Sequence, residues 1–528
     1  MVRSSSRLAR LLALPLLSAS LAGSVSAQRP PVAEPRAAAR TYRESREGTI
    51  LREFTELLAI PNVAADSVNI RRNAALLMEM LRRRGAETRL LEAGGSPPAV
   101  FGEIRTPGAT RTIVLYAHYD GQPVDTSQWV VPPWKPILRE RSLAEGGREI
   151  PLPENGARAP AESRIYARSA SDDKGSIIAM LTALDAMRVA RIPLSVNLKF
   201  FFEGEEEAGS GHLRQMLERH AALLAADAWL FCDGPVHQSG RMQVVFGLRG
   251  VVGLELSVYG PTRALHSGHY GNWAPNPGIL LARLLASMRD DDGRILIPGF
   301  EKDVRPLSAS ERRALAAVPS VDSMLRTSLG LARSESANAP LAERVMRPAL
   351  NLRGMRAGGV REVAANAIPT EALASIDFRL VPNQTPERVR ALVERHIRAQ
   401  GFHIVRDSAD AATRRRYPKL VRLEWEPGYP ASRVSMDLPF SRALMQSVAE
   451  GAESPPLAVP TLGGSGPTYI FEHVLSVPMV VLPIANFDNS QHASNENLRV
   501  GHLWDGIEMY ASLLARIGVA WRERPVVP

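Results

Sequence analysis

Runs of apolar residues with helical and strand periods follow one another through the first half of the chain. Arg46 to Leu58 is amphipathic and predicts a helix, closed by the turn at Pro61-Asn62. Asn69 to Arg84 predicts a second helix, ended by Gly85. Short strands are predicted at Glu87 to Leu91 and Ala99 to Ile104, and the β-rich run Thr112 to Ala117 reads as a buried strand. Gln122 to Ala161, rich in Pro, Gly and charge, reads as a long surface loop. A helix at Ser176 to Ala190, a strand at Leu194 to Phe202, a helix at Gly211 to Ala225 and a strand at Ala228 to Cys232 follow. This alternation predicts an α/β fold with a mixed sheet flanked by helices.

From about Met242 the texture changes. Strands at Met242 to Phe246 and Gly253 to Tyr259 precede a helix at Pro277 to Met288. A mobile Ala/Arg/Ser-rich stretch is expected up to about Arg347, then a strand at Ala372 to Leu380 and a helix at Pro386 to Gln400. These fit a small inserted α+β two-layer sandwich. After about Pro418 the first texture resumes. It shows a helix at Pro439 to Ala449, a glycine turn at Gly463-Gly464-Ser465-Gly466, a strand at Met479 to Pro483 and a final helix from Leu503. The expected division is a leader at 1–27, a linker at 28–45, a larger unit in two parts (46–243 and 418–528) and an inserted unit at 244–417.

Length and composition narrow the class. At 528 residues the chain exceeds one ordinary core. Arg3, Arg7 and Arg10 precede or punctuate an apolar run, Leu11 to Leu21, followed by Ser24-Val25-Ser26-Ala27. This pattern predicts a signal peptide cut near Ala27–Gln28 and hence a secreted or periplasmic protein. The run is too short for a permanent membrane span, and no later run is long and apolar enough. Gln28 to Arg40 reads as a disordered Pro/Ala/Arg linker. Cys232 is the only cysteine, so no internal disulfide forms. The net charge of +9 is spread over faces such as Arg82-Arg83-Arg84 and Arg414-Arg415-Arg416. Without an aromatic-interleaved basic groove, nucleic-acid binding is not expected.

The chemistry gathers around Glu203-Gly-Glu205-Glu206-Glu207-Ala-Gly209-Ser210, where an apolar strand ends in four carboxylates. Like charges this close call for neutralisation. In Tyr116-Ala-His118-Tyr-Asp120, an imidazole and a carboxylate two residues apart point the same way off a strand. His118 is a candidate metal ligand there, and Asp120 a candidate acceptor for its other ring N–H. Asp172 in Ser169-Ala-Ser-Asp172-Asp173-Lys174-Gly175 is a candidate bridging carboxylate, or simply a helix cap. Glu206 and Glu207 are suited to divide labour, one holding a proton and one a metal. Asp233 ends a further strand, and His492 lies in a polar loop before Asn495-Glu496. Two histidines and three carboxylates suit a pair of Zn²⁺ ions sharing one carboxylate and one water, with Mn²⁺ or Co²⁺ as alternatives.

With these motifs in family order, the chain resembles the dinuclear-zinc metallopeptidase family of carnosinase-type dipeptidases, glutamate carboxypeptidase and succinyl-diaminopimelate desuccinylase. The resemblance covers roughly Thr49 to Ala520. It implies that His118, Asp172, Glu207, Asp233 and His492 hold two Zn²⁺ ions, with Asp172 bridging. It further implies Glu206 as general base, Asp120 orienting His118, and a lid histidine, His266, stabilising the oxyanion. Asn366, Arg379, Gly464 and Ser465 match substrate-binding positions. A homodimer through the inserted lid is expected on the same ground. Two departures stand out: Ala167-Arg-Ser-Ala170-Ser replaces a glycine-rich lead-in, and the loop Arg139 to Arg164 is longer than usual.

The expected function is therefore hydrolysis of dipeptides or C-terminal residues by metal-activated water. The same chemistry would serve an N-acyl-amino-acid amidohydrolase, and a non-catalytic zinc-binding peptide receptor is the alternative from another class. Glu203 and Glu205 have no assigned role and are expected beside the site or solvated.

Overall fold

The computed structural model describes residues 34–154 and 156–521. The leader expected at 1–27, with its cleavage point, lies outside the described residues. The main sheet has eight strands in the order Glu87–Leu91, Ala99–Ile104, Asn197–Glu203, Thr112–His118, Ala228–Phe231, Met479–Val481, Gln243–Val245 and Leu457–Val459. Four central strands, Asn197–Glu203 through Met479–Val481, run parallel, and antiparallel pairings flank them. Their side chains are buried on both faces, as in Phe200, Phe201, Tyr116, Trp229 and Val480. That is why these segments read as continuous apolar runs. The helices Lys174–Ala190 and Val500–Ala520 pack together in the largest core, and most of Lys174–Ala190 is buried all round.

A second sheet of five strands runs Ala349–Arg356, Glu371–Leu380, Gly250–Tyr259, Leu420–Trp425 and His403–Val405. The helices Pro277–Met288 and Pro386–Ala399 share its core, so the α+β sandwich forms as expected. Both helices begin at a proline preceded by a side-chain cap: Asn276 accepts from Gly278 N, and Thr385 from Arg388 N. Leu420–Trp425 pairs with Gly250–Tyr259, so this sheet extends past the boundary expected at 417. The strand Ala349–Arg356, mostly exposed and at the sheet's edge, lies within the stretch with no predicted element; its apolar–polar alternation is short and is interrupted by a bulge between Leu352 and Gly354. The stretch expected to be mobile before Arg347 carries short helices, among them Ala309–Ala317 and Leu341–Val345.

Two further expectations are corrected. Part of the loop after Gln122 is built in: Ile137–Arg139 pairs with Arg164–Tyr166, which pairs with Asn497–Arg499. The expected disordered linker contains the helix Pro35–Glu44, packed on Val500–Ala520 and Lys174–Ala190. Arg36, Arg40 and Arg43 fall about one turn apart and converge on one buried carboxylate, Glu508. Arg40 Nη2 lies 2.8 Å and Arg36 Nε 3.2 Å from Glu508 Oε2. Among the described residues, no helix is long and apolar enough to cross a membrane.

Removing Glu508 would leave Arg36 and Arg40 to the exposed Glu453 and Arg43 to Glu47. Glu508→Ala is expected to cost about 2 kcal/mol, below the value for a fully buried pair because the arginines are partly solvated. Thermal unfolding measures this, and an unchanged midpoint would show that the N-terminal helix is not held by these charges.

Candidate metal centre

The parallel strands of the main sheet deliver their following loops to one edge, where ligands of open α/β sheets bind. His118 is the last residue of Thr112–His118, and Asp233 follows Ala228–Phe231 closely. Glu206 and Glu207 lie in the short 3₁₀ turn Glu206–Ala208 after Asn197–Glu203. Asp172 precedes the helix Lys174–Ala190, and the Asp172-Asp173 peptide is cis.

The five expected ligands are brought together as two overlapping groups. His118, Asp172 and Asp233 form one, and Asp172, Glu207 and His492 the other, with the ligand atoms of each group within 4.8 Å of one another. His118 Nε2 lies 2.8 Å from Asp172 Oδ1 and 3.8 Å from Asp233 Oδ2. His492 Nε2 lies 3.1 Å from both Asp172 Oδ2 and Glu207 Oε2. Asp172 thus offers one oxygen to each group.

The electrostatics mark the centre as a place for cations. Burial pushes the Asp233 carboxyl up to about 7, and neighbouring Asp172 adds to the rise. Burial also holds Glu206 well above the carboxylate range, with Asp233, Asp172 and Glu207 acting in the same direction and His118 against them. Hydrogen bonds to Asp172 and Glu207 raise His492 to about 10. Burial works against protonation of His118, but Asp120 and Asp172 outweigh it and raise that ring too. Both rings are thus drawn towards positive charge by the carboxylates around them, the charge that divalent ions would supply. Asp233 Oδ1, buried and without a hydrogen-bond partner, is a further donor atom fitted to a metal. The residues fit the metal pair expected from the motifs.

Other side chains hold the ligands in place. Asp120 stands 3.4 Å from His118 Nδ1, on the side away from Asp172. It also accepts the backbone N–H groups of Glu206 and Glu207 at 3.1 and 3.0 Å, a task the sequence did not suggest. Glu496 is fully buried and accepts from Arg168 Nη1, from the amides of Ser169, Ser171 and Asp172, and from Ser171 Oγ. This carboxylate organises the lead-in 167–171 that departs from the glycine-rich pattern. Lys174 Nζ, buried, donates to Leu57 O and Asn73 Oδ1, tying that loop to two helices. Gln491 and Gln122 donate to Asp172 and Glu207 at 2.7 and 2.8 Å. These polar partners were not identified beforehand; only the Asn-Glu after His492 hinted at Glu496. Glu203 and Glu205 are not solvated. Glu203 accepts from Tyr116 OH and is carried by burial to about 7, while Glu205 accepts from His212 N and pairs with its Nδ1.

The remaining expected residues form two groups. Arg379 Nη1 donates to Ser465 Oγ at 3.0 Å, and its Nε to Asp377 at 2.9 Å, so the second sheet meets the Gly464–Ser465 turn. Tyr429, stacked on Tyr469 with ring centroids 5.1 Å apart, lies within electrostatic range of both Glu206 and Arg379. Burial takes its phenol to about 12. His266 and Asn366 lie together elsewhere: His266 pairs with Ala367, and Asn366 O accepts from Ser267 N. Both are exposed, and among the described residues neither hydrogen-bonds to the carboxylate–histidine cluster.

Comparison with known proteins points to a peptidase family. Residues 114–516 match the model of peptidase family M20/M25/M40. The chain is 25% identical over 422 residues to the Cys-Gly metallodipeptidase dug1 of Schizosaccharomyces pombe, covering 79% of this chain and 82% of that protein. It is 23% identical over 463 residues to the human Beta-Ala-His dipeptidase, covering 84% and 83%. The M20 family metallo-carboxypeptidase Sso-CP2 from Sulfolobus solfataricus superposes with a TM-score of 0.71 at 28% identity, over 89% of this chain and 99% of that one. The expected secreted or periplasmic location is corrected here: these similar dipeptidases give it no support, and it is withdrawn. With the family model spanning most of its length and a cluster of histidines and carboxylates able to hold metal, the chain belongs to peptidase family M20/M25/M40 and is a metallopeptidase.

Proposed function

We propose that the chain is a dizinc dipeptidase or carboxypeptidase acting on small peptides with a free C-terminal carboxylate. One observation carries this reading: the two oxygens of Asp172 face different histidines, each within a separate three-residue group. His118, Asp172 and Asp233 would hold one ion, and Asp172, Glu207 and His492 the other. The mixed imidazole and carboxylate donors favour Zn²⁺, with Mn²⁺ or Co²⁺ as alternatives. When bound, the ion pair supplies Lewis acidity towards a water and the scissile carbonyl.

The chain's own residues do the rest. Glu206 takes the proton of the attacking water and returns it to the leaving amine. Asp120 keeps the His118 ring turned towards the ligand group and holds the Glu206–Glu207 amides, so base and ligand keep a fixed spacing. Arg379 and Ser465, already hydrogen-bonded to each other, receive the substrate carboxylate beside the Gly464 turn. The names of two similar proteins, a Cys-Gly and a Beta-Ala-His dipeptidase, support dipeptides as the substrate class.

His266 and Asn366 are read as completing the site of a second copy, where His266 donates to the oxyanion. Their exposure supports this, as does the unpaired edge strand Ala349–Arg356 with Leu352 and Met355 exposed.

Glu206→Gln is expected to keep its metal and lower kcat by about 10³-fold; wild-type hydrolysis of a dipeptide by this variant would remove Glu206 from the chemistry. Chelation followed by elemental analysis tests the shared ligand. Asp172→Ala should lose both ions and Asp233→Ala chiefly one, whereas equal losses from the two variants would refute bridging. For the second copy, mixing inactive His266→Ala with inactive Glu206→Gln should restore activity that neither has alone. A fully active monomer in size-exclusion chromatography would exclude this arrangement.

A further inference from the structure

The turn that Ser465 occupies is held from behind by a residue with no role in the mechanism above. Arg249 follows the two-residue strand Gly247–Leu248 and directly precedes Gly250–Tyr259. Its backbone N–H donates to Gly464 O at 3.1 Å, and its Nε to Gly463 O at 3.0 Å. A Cβ on Gly463 would meet Val345 at 3.5 Å and Arg249 Nη2 at 3.6 Å, so the guanidinium lies directly against the turn. Leu248 bridges to Leu462 on the same segment. The turn is thus clamped by one arginine from the chain crossing between the two sheets, while Arg379 reaches it from the second sheet through Ser465.

The charges at this place do not balance. Burial draws the Arg249 guanidinium down to about 10; Arg379 pulls in the same direction and Asp377 against it. Asp377 already accepts from Arg379 Nε. Asp377 is thus bonded to Arg379 and acts on Arg249 only through its field, so this half-buried place sets two guanidiniums against one carboxylate. One excess positive charge beside a hydroxyl and a glycine turn calls for one monovalent anion.

We propose that Arg249 is a positioning and charge-supplying residue for the free carboxylate of the peptide substrate: it holds the Gly463–Gly466 turn so that Ser465 and Arg379 converge, and it provides the positive charge that Arg379 shares with Asp377. The inference rests on the reading that Arg379 and Ser465 receive that carboxylate. It makes the enzyme selective for peptides ending in a free acid over the same peptides ending in an amide. Arg249 acts through the turn and through its field, whereas Arg379 and Ser465 touch the substrate.

The test compares a neutral dipeptide with its C-terminal amide as substrates of the metal-loaded enzyme, for the wild type, Arg249→Met, Arg249→Lys and Arg379→Met. Metal content and thermal unfolding are recorded for each. Arg249→Met is expected to raise KM for the free acid by about tenfold, the loss of one charge-assisted interaction. Its kcat, and its KM for the amide, should change little. Arg249→Lys, which keeps the charge, should retain most of the free-acid preference. Equal losses for acid and amide, or equal losses in the Met and Lys variants, would reduce Arg249 to a structural part and overturn the inference. If Arg379→Met abolishes the free-acid preference while Arg249→Met leaves it intact, the inference fails and the carboxylate site at Arg379 stands. If neither variant alters the preference, the carboxylate site itself is misplaced.

Discussion

Negative charge held at close quarters is the constraint on which the rest of this structure depends. Asp120, Asp172, Glu206, Glu207 and Asp233 gather where central parallel strands of the main sheet end. Parallel strands bring their following loops to the same edge, so the topology concentrates what the sequence scatters over more than a hundred residues. Left to themselves these carboxylates repel, and that repulsion adds to burial, the larger cause, in raising Asp233 and Glu206. Two histidines each face one oxygen of Asp172, and a pair of metal ions held there would offset the charge.

Around that charge stands a shell whose work is to prevent relaxation. Glu496 gathers the amides of three residues in the Asp172 loop, and Arg168 balances it. Lys174 anchors the start of the following helix to Leu57 and Asn73. Asp120 fixes Glu206 and Glu207 through their backbone. Buried groups of this kind are costly unless satisfied, so each is hydrogen-bonded to something rigid. The opposite polarity appears at the Gly463–Gly466 turn, where Arg249 and Arg379 face a single carboxylate, Asp377, which is bonded to Arg379. Tyr429 lies within reach of both fields. A peptide with its amide at the carboxylate cluster and its terminal carboxylate at the arginines would run from one to the other.

Local readings succeeded where the signal is local. The apolar runs before His118 and Asp233, and the one leading into Glu203, became buried strands because continuous hydrophobicity suits a strand covered on both faces. The helix Pro277–Met288 was legible from its proline and apolar pattern. Readings failed where an element's fate depends on a distant partner. Pro35–Glu44 looked like a disordered linker because the carboxylate that neutralises its arginines is Glu508. Leu420–Trp425 looked like part of the larger unit, yet its hydrogen-bonding partner is Gly250–Tyr259.

The sequence by itself determined which residues have the chemistry: two histidines and a set of acidic residues in short motifs, most of them at predicted strand ends. It also determined the α/β texture and the inserted α+β unit, since side-chain periodicity is a property of neighbouring residues. Only the tertiary structure decided that Asp172 faces both histidines, that Glu496 supports the loop carrying it, and that Arg249 backs the turn reached by Arg379. These pairings join residues tens to hundreds of positions apart. Their geometry is set by how sheets and helices pack, and no local pattern of side chains encodes that.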